Sequence, residues 1–178
     1  MAAGTFKWNA GSGTTGCIFA LATNQNEAVR AVGAYSTKDN EFSFGIAFTN
    51  DTGKAMKLVS LAYLSQQWGF ANTTNQTLSV SAKVVDGLDW ISAYVDGWTE
   101  LAATESVVYG AGEPHDTPVS TPVTVNPTEE ISIAPGQVLM LKWTIHSLNG
   151  GKPGMMGIDD VTVTFQGAVG LSIRIAGW

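Results

Sequence analysis

Alternation of apolar and polar side chains is the feature that most limits what this chain can become. In residues 41–50, Phe42, Phe44, Ile46 and Phe48 fall on one side and Ser43, Gly45, Ala47 and Thr49 on the other. Period two is the repeat of a strand with one buried face. A helix, at about 3.6 residues per turn, would scatter the same four apolar residues around its circumference. The pattern returns in residues 77–85 with Leu78, Val80, Ala82 and Val84, and in 138–145 with Leu139, Leu141, Trp143 and Ile145. It returns again in 158–165 with Val161, Val163 and Phe165, in 57–66 with Val59, Leu61 and Tyr63, and in a short last strand with Leu171, Ile173 and Ile175.

Turn chemistry separates these runs. Asn50-Asp51-Thr52-Gly53-Lys54, Asp86-Gly87, Asp96-Gly97 and Ala134-Pro135-Gly136-Gln137 carry residues that tolerate tight or left-handed backbone. Residues 98–102 read as a further strand, and Ile131-Ser132-Ile133 as a short one bracketed by Pro127 and Pro135. Residues 110–122 read as a loop in which Gly112, Pro114, Pro118 and Pro122 exclude a helix, and 146–157 as a loop rich in Gly and Asn. Residues 6–34 hold two or three weaker strands, with one helical turn over 26–32 as the alternative. About ten short strands without a convincing helix, repeat or linker predict one all-β domain over residues 1–178. The expected fold is a two-sheet antiparallel β-sandwich of jelly-roll type.

Composition narrows the function classes. Among 178 residues there are 9 Lys and Arg against 15 Asp and Glu, a net charge of −6, and only 13% are charged. That is roughly half the usual share, in a chain that is 44% hydrophobic. Such a chain is neither disordered nor a coiled coil. With an isoelectric point near 4.7 it is a poor electrostatic partner for nucleic acid or anionic membrane. The single cysteine, Cys17, excludes an intramolecular disulfide and a CxxC zinc site, and its apolar setting reads as a small buried hydrophobe. No apolar run is long enough for a membrane helix, and no basic, then hydrophobic leader opens the sequence. Met1-Ala2-Ala3 reads as a start methionine joined to a mature domain or fragment. Few charges with many Thr, Ser, Gly, Asn and aromatic residues suit a secreted, strand-rich domain. Sequons at Asn50, Asn72 and Asn75 are what Asn/Thr-rich turns produce by chance.

Catalytic signatures are missing: no GxSxG, HExxH, phosphate loop or dinucleotide fingerprint occurs. The two histidines, His115 and His146, lie in separate loops. Asp86, Asp89, Asp96, Glu100 and Glu105 offer carboxylates for glycoside hydrolysis, or simply form an acidic surface. Asp159-Asp160 opens a late strand, and alternation directs Asp159 to the side of Val161, Val163 and Phe165. A carboxylate aimed at a core must be satisfied. It either caps backbone N–H groups or helps hold calcium with carbonyls from residues 149–154.

The aromatic residues divide by context. Trp90 and Tyr94, with Asp89, lie in an irregular segment. Together with Tyr109 and His115 they form a candidate platform for a sugar ring, whose apolar C–H face stacks on an indole while its hydroxyls meet polar neighbours. Core packing is the alternative for each taken singly. Trp68, beside Gln67, Asn72 and Asn75, is a second polar-aromatic cluster.

Several stretches resemble a family. Phe44-Gly45-Ile46-Ala47-Phe48-Thr49-Asn50-Asp51-Thr52-Gly53-Lys54, Leu61-Ala62-Tyr63-Leu64-Ser65-Gln66-Gln67-Trp68 and Asn72-Thr73-Thr74-Asn75-Gln76-Thr77-Leu78 are similar to bacterial extracellular β-sandwich domains of large secreted or surface-anchored proteins. Leu141-Lys142-Trp143-Thr144 and Gly157-Ile158-Asp159-Asp160-Val161 continue the likeness, which spans about residues 28–165. Where that family has further aspartates after its Leu-x-Trp-Thr motif, this chain has Ile145-His146-Ser147-Leu148-Asn149. The Asp-Asp strand also resembles jelly-roll carbohydrate-binding modules, in which it borders a structural calcium.

The resemblance implies an extracellular or cell-surface domain within a larger protein. It makes Trp68, Trp98 and Trp143 structural and leaves Trp90 and Tyr94 for a specific site. The expectation is a non-catalytic module binding a neutral polysaccharide through Trp90, Tyr94, Tyr109, His115 and Asp89, with structural calcium at Asp159 and Asp160. A structural or adhesive domain without a free glycan ligand is one alternative, and a polysaccharide hydrolase or lyase is the other.

Overall fold

The computed structural model describes residues 7–9, 18–21, 31–35, 41–68, 76–87, 96–105, 118–147, 155–167 and 172–175. They form twelve strands and no helix. The strands are β1 (Lys7–Asn9), β2 (Ile18–Leu21), β3 (Ala31–Tyr35), β4 (Phe42–Thr49), β5 (Met56–Trp68) and β6 (Gln76–Val85). They continue as β7 (Thr99–Glu105), β8 (Val119–Val125), β9 (Ser132–Ile133), β10 (Val138–Ser147), β11 (Met155–Gln166) and β12 (Ser172–Ile175).

Two sheets pack face to face. One has the order β1-β2-β3-β11-β5-β8, with β12 added beside β11 and β9 beside β5; the other has the order β4-β10-β6-β7. Every pairing is antiparallel except β1 with β2. The eight long-range strands wind as a jelly roll, β3-β11-β5-β8 against β4-β10-β6-β7, the architecture expected from the alternation.

The core lies between the sheets. Leu78, Val80 and Ala82 of β6 and Leu139, Leu141, Trp143 and Ile145 of β10 meet Leu58, Leu61 and Tyr63 of β5 and Ile158, Val161, Val163 and Phe165 of β11. Phe44 stacks on Trp143 with centroids 6.3 Å apart, and Phe48 meets Phe165 edge-on at 5.9 Å. A polar contact joins the two sheets: Ser65 Oγ of β5 hydrogen-bonds Thr104 Oγ1 of β7 at 2.9 Å.

Two central strands change phase, which plain alternation does not anticipate. The β5–β11 ladder slips between Thr164 and Phe165, so Leu58 and Leu61 both face the core and Val59 is exposed. It slips again between Asp159 and Thr162, so Ile158 and Val161 share the core face although three positions apart. Each slip is a β-bulge, an extra residue that resets which side chains point inward. Residues 118–122, expected in a loop, belong in part to β8, where Pro122 pairs with Leu64. A proline is tolerated there because β8 is an edge strand, where a missing N–H costs no ladder bond.

The end turns are pinned by Asn50, which is fully buried. Its Nδ2 donates to the carbonyls of Lys54 at 2.7 Å and Ile133 at 2.8 Å, and its Oδ1 accepts from Thr52 N and Thr52 Oγ1. The main chain adds Asn50 N–H to Gln137 O and Gly136 N–H to Asn50 O, each 2.8 Å. The sequon at Asn50 is therefore a structural node, with its amide nitrogen committed on both sides.

Candidate functional site

The β4-β10-β6-β7 sheet turns its second face outward, and register assigns the residues on it. Gly45, Lys142, Ser81 and Glu100 form one row across the four strands; Ser43, Thr144, Ser79 and Ala103 form the next. The alternating positions are core residues, so these side chains point away from the second sheet. The face is lined mostly by small and hydroxylated side chains. Ser43 Oγ and Thr144 Oγ1 are hydrogen-bonded at 2.8 Å. At one end of the same face His146 Nδ1 lies 2.9 Å from Glu41 Oε1.

Among the described residues one large aromatic side chain, Trp98, lies over this face. Trp98 directly precedes Thr99, which pairs with Ala82, so it falls beside Lys83. Gly97 makes the approach possible: its φ of 96° is left-handed backbone that a side chain disfavours, while a Cβ there would meet nothing closer than Lys83 Cε at 3.8 Å. Lys83 Nζ donates to Asp96 O at 2.9 Å and stands 5.9 Å from the Trp98 ring centroid. Lys142 Nζ stands 4.2 Å from the same centroid, a cation–π pair. Partial burial lowers the Lys142 pKa, Glu41 opposes that shift, and Lys83 adds to it. Trp98 Nε1 is buried without a hydrogen-bond partner.

This position corrects the reading of Trp98 as sandwich core. Trp98 is half-buried on the outer face and is not part of the core cluster, whereas Trp143 is fully buried in it and Trp68 is buried with its Nε1 donating to Gln66 Oε1 at 2.9 Å. The signal for Trp98 was the Asp96-Gly97 turn just before it, which marks an edge entry. Nothing local in the sequence shows that Lys83 and Lys142 converge on its ring.

The other expected site residues divide sharply. Trp90, Tyr94, Asp89, Tyr109 and His115 lie outside the described residues. The chain leaves the described strands at Gly87 and returns at Asp96 at one end of the sandwich. It leaves at Glu105 and returns at Pro118 at the other. Asp159 and Asp160 lie at the second bulge of β11, between the stretch paired with β3 and the stretch paired with β12. Both are half-buried, so the bulge removes the expectation that alternation drives Asp159 into the core. Asp159 Oδ1 accepts the Asp160 N–H at 2.8 Å, the backbone-capping role, and Asp160 adopts a φ of 51°. Calcium takes about six to eight oxygens. Among the described residues no group of three or more His, Cys, Asp or Glu side chains is gathered to hold a metal, so these two carboxylates do not make a full site by themselves.

Of the candidate carboxylates for hydrolysis, Asp86 has a side-chain partner. Asp86 Oδ1 accepts from Gln137 Nε2 at 2.9 Å, and Asp96 contributes its carbonyl to Lys83. Glu100 borders a cleft of about 340 Å³ at the seam between the sheets, where Leu101 faces Pro127, Glu129, Glu130 and Ile131. On its rim Lys57 Nζ and Glu130 Oε2 form an exposed ion pair at 2.7 Å. Among the described residues no helix is long and apolar enough to cross a membrane.

Comparison with protein-family models, curated proteins and solved structures finds no match to this chain. The jelly-roll assignment rests on the strand order itself.

Proposed function

We propose that this domain is a non-catalytic carbohydrate-binding module of a larger bacterial protein, secreted or displayed at the cell surface. It would dock on a polysaccharide through the outer face of the β4-β10-β6-β7 sheet. The observation that carries this reading is Trp98, an indole held half-buried over a face of serine, threonine and glycine, with Lys83 and Lys142 at its ring. An indole offers the apolar plane a sugar ring stacks on, and the surrounding hydroxyls offer donors and acceptors.

The two ammonium groups sharpen the ligand class. The whole-chain charge of −6 suits a neutral glycan, but Lys83 and Lys142 stand nearest the Trp98 ring, with Glu41 and Glu100 on the same face offsetting part of their field, and would favour a glycan bearing carboxylates. A structural or adhesive domain without a free glycan ligand is the second reading. It is favoured by Lys142 already lying over the indole. A calcium ion held partly by Asp159 and Asp160 would be accessory to the first reading, and a melting temperature lowered by chelator would support it.

Affinity gel electrophoresis against neutral and uronate-containing polysaccharides tests the reading. Retardation on an acidic polysaccharide is expected, lost in Trp98→Ala, weakened in Lys142→Gln and kept in Trp90→Ala, with each variant's melting curve confirming the fold. Retention lost in Trp90→Ala alone moves the site to the 88–95 segment. No retardation on any glycan removes the proposal for those ligands.

A further inference from the structure

We propose that the free edge of β4 pairs with β4 of a second copy, joining two four-stranded sheets into one eight-stranded sheet across a twofold axis. A sheet edge is a row of unpaired N–H and C=O groups, and natural proteins protect it with charge, proline, bulges or short strands. The other edges here carry such devices. β8 contains Pro122, β7 contains Glu100 and Glu105 and a bulge against β6, β1 has three residues with Lys7, and β12 has four with Arg174. β4 carries none of them. It is eight residues long, has no charged residue and no proline, and pairs with β10 through eight consecutive residues without a register shift. Among the described residues no strand pairs with its other side. Its inward row, Phe42, Phe44, Ile46 and Phe48, packs on the core yet stays half-exposed, unlike the fully buried row of its neighbour β10.

The sequence of β4 fits itself. In an antiparallel pair, residues directly opposite share a face. With the axis at Gly45, Phe42 meets Phe48 and Phe44 meets Ile46 of the second copy on the apolar face, while Ser43 meets Ala47 on the outer face. Each contact occurs twice, as an isologous interface requires. No like charges oppose each other within the strand, although each chain carries a net −6. An axis perpendicular to the sheet keeps both outer faces, and both Trp98 residues, on the same side, which would serve bivalent binding to a polymer.

Sedimentation velocity over a wide concentration range reads the outcome. The wild-type chain is expected at twice its 18.7 kDa mass. Ser43 and Ala47 are exposed, so charges there test the register and spare the core. Ser43→Lys with Ala47→Lys opposes like charges twice and is expected to give monomer, whereas Ser43→Glu with Ala47→Lys opposes unlike charges and restores the dimer. A wild-type chain that stays monomeric at all concentrations overturns the proposal. So does a dimer indifferent to both double variants, or open-ended fibre growth instead of a closed pair.

Discussion

Tyr63 and Trp143 meet edge to face across the two sheets, with ring centroids 5.8 Å apart, and neither the phenol hydroxyl nor the indole Nε1 has a hydrogen-bond partner. Both are deeply buried. The pair adds aromatic packing to the core but leaves two polar atoms dry, and such atoms cost stability when unmade bonds are not replaced.

Replacing Tyr63 by Phe removes one orphan and keeps the ring. Tyr63→Phe is expected to raise stability at neutral pH by roughly 1 kcal/mol, a few degrees in Tm for a chain of this size. A fall of similar size would show that the hydroxyl has a partner. Burial also pushes the Tyr63 hydroxyl up to about 12, and the Trp143 indole N–H, which points to the hydroxyl without reaching hydrogen-bond geometry, acts in the other direction. The folded state therefore holds this proton more tightly than the unfolded state, whose phenol ionises near 10. The stability contributed is whole below about pH 10 and is lost as pH rises toward 12, amounting to roughly 2–3 kcal/mol. Denaturant melts of wild type and Tyr63→Phe should therefore differ by about 1 kcal/mol at neutral pH and by roughly 3 kcal/mol or more near pH 12, because only wild type loses this stability.

Asn50 gives a sharper test because its donor and acceptor ends are both committed. Asn50→Asp keeps the acceptor facing Thr52 but sets an oxygen where Nδ2 donates to the Lys54 and Ile133 carbonyls. A buried carboxylate against two carbonyls is expected to cost about 3 kcal/mol or more at pH 7. That environment raises the new carboxyl's pKa, so the loss should be smallest near pH 4, where the protonated group can donate once. Chemical denaturation at the two pH values checks both size and sign.

The strands that were legible in the sequence are those without bulges. β4, β6 and β10 keep one phase from end to end, so Phe42, Leu78 and Leu139 announce their faces directly. β5 and β11 do not: one inserted residue near Val59 and another near Asp160 switch the inward set, and periodicity cannot register an insertion that only the partner strand defines. β8 was hidden by Pro122, whose cost vanishes at an edge that exists only once the sheet has formed. Trp98 was misread for the same kind of reason. A tryptophan before an alternating run looks the same whether it enters the core or lies outside, and its partners Lys83 and Lys142 come from other strands.

Gly97 ties the candidate site to local backbone. Gly97→Ala has room for its methyl group but forces a left-handed φ of 96° on a residue with a Cβ. The expected cost is about 1–2 kcal/mol, or a shift of Trp98 away from the lysines where the turn relaxes instead. Tryptophan fluorescence and the melting temperature together separate these outcomes: a lower Tm with an unchanged emission maximum indicates strain, and a changed emission maximum indicates displacement. A variant identical to wild type in both would show that the turn adapts without disturbing Trp98.

Asp159 separates a capping role from a metal-binding one. Its Oδ1 accepts the Asp160 N–H at 2.8 Å at the bulge, and an asparagine side chain supplies the same carbonyl acceptor without charge. Asp159→Asn is therefore expected to melt close to wild type, while Asp159→Ala, which strands the N–H, should lose about 1 kcal/mol. A carboxylate needed for calcium behaves differently: Asn, which lacks the negative charge, would then also be damaging, and chelator would lower the wild-type Tm more than either variant's. Thermal melts of the three proteins with and without chelator therefore distinguish the cap from the ion, because only the ion depends on the negative charge.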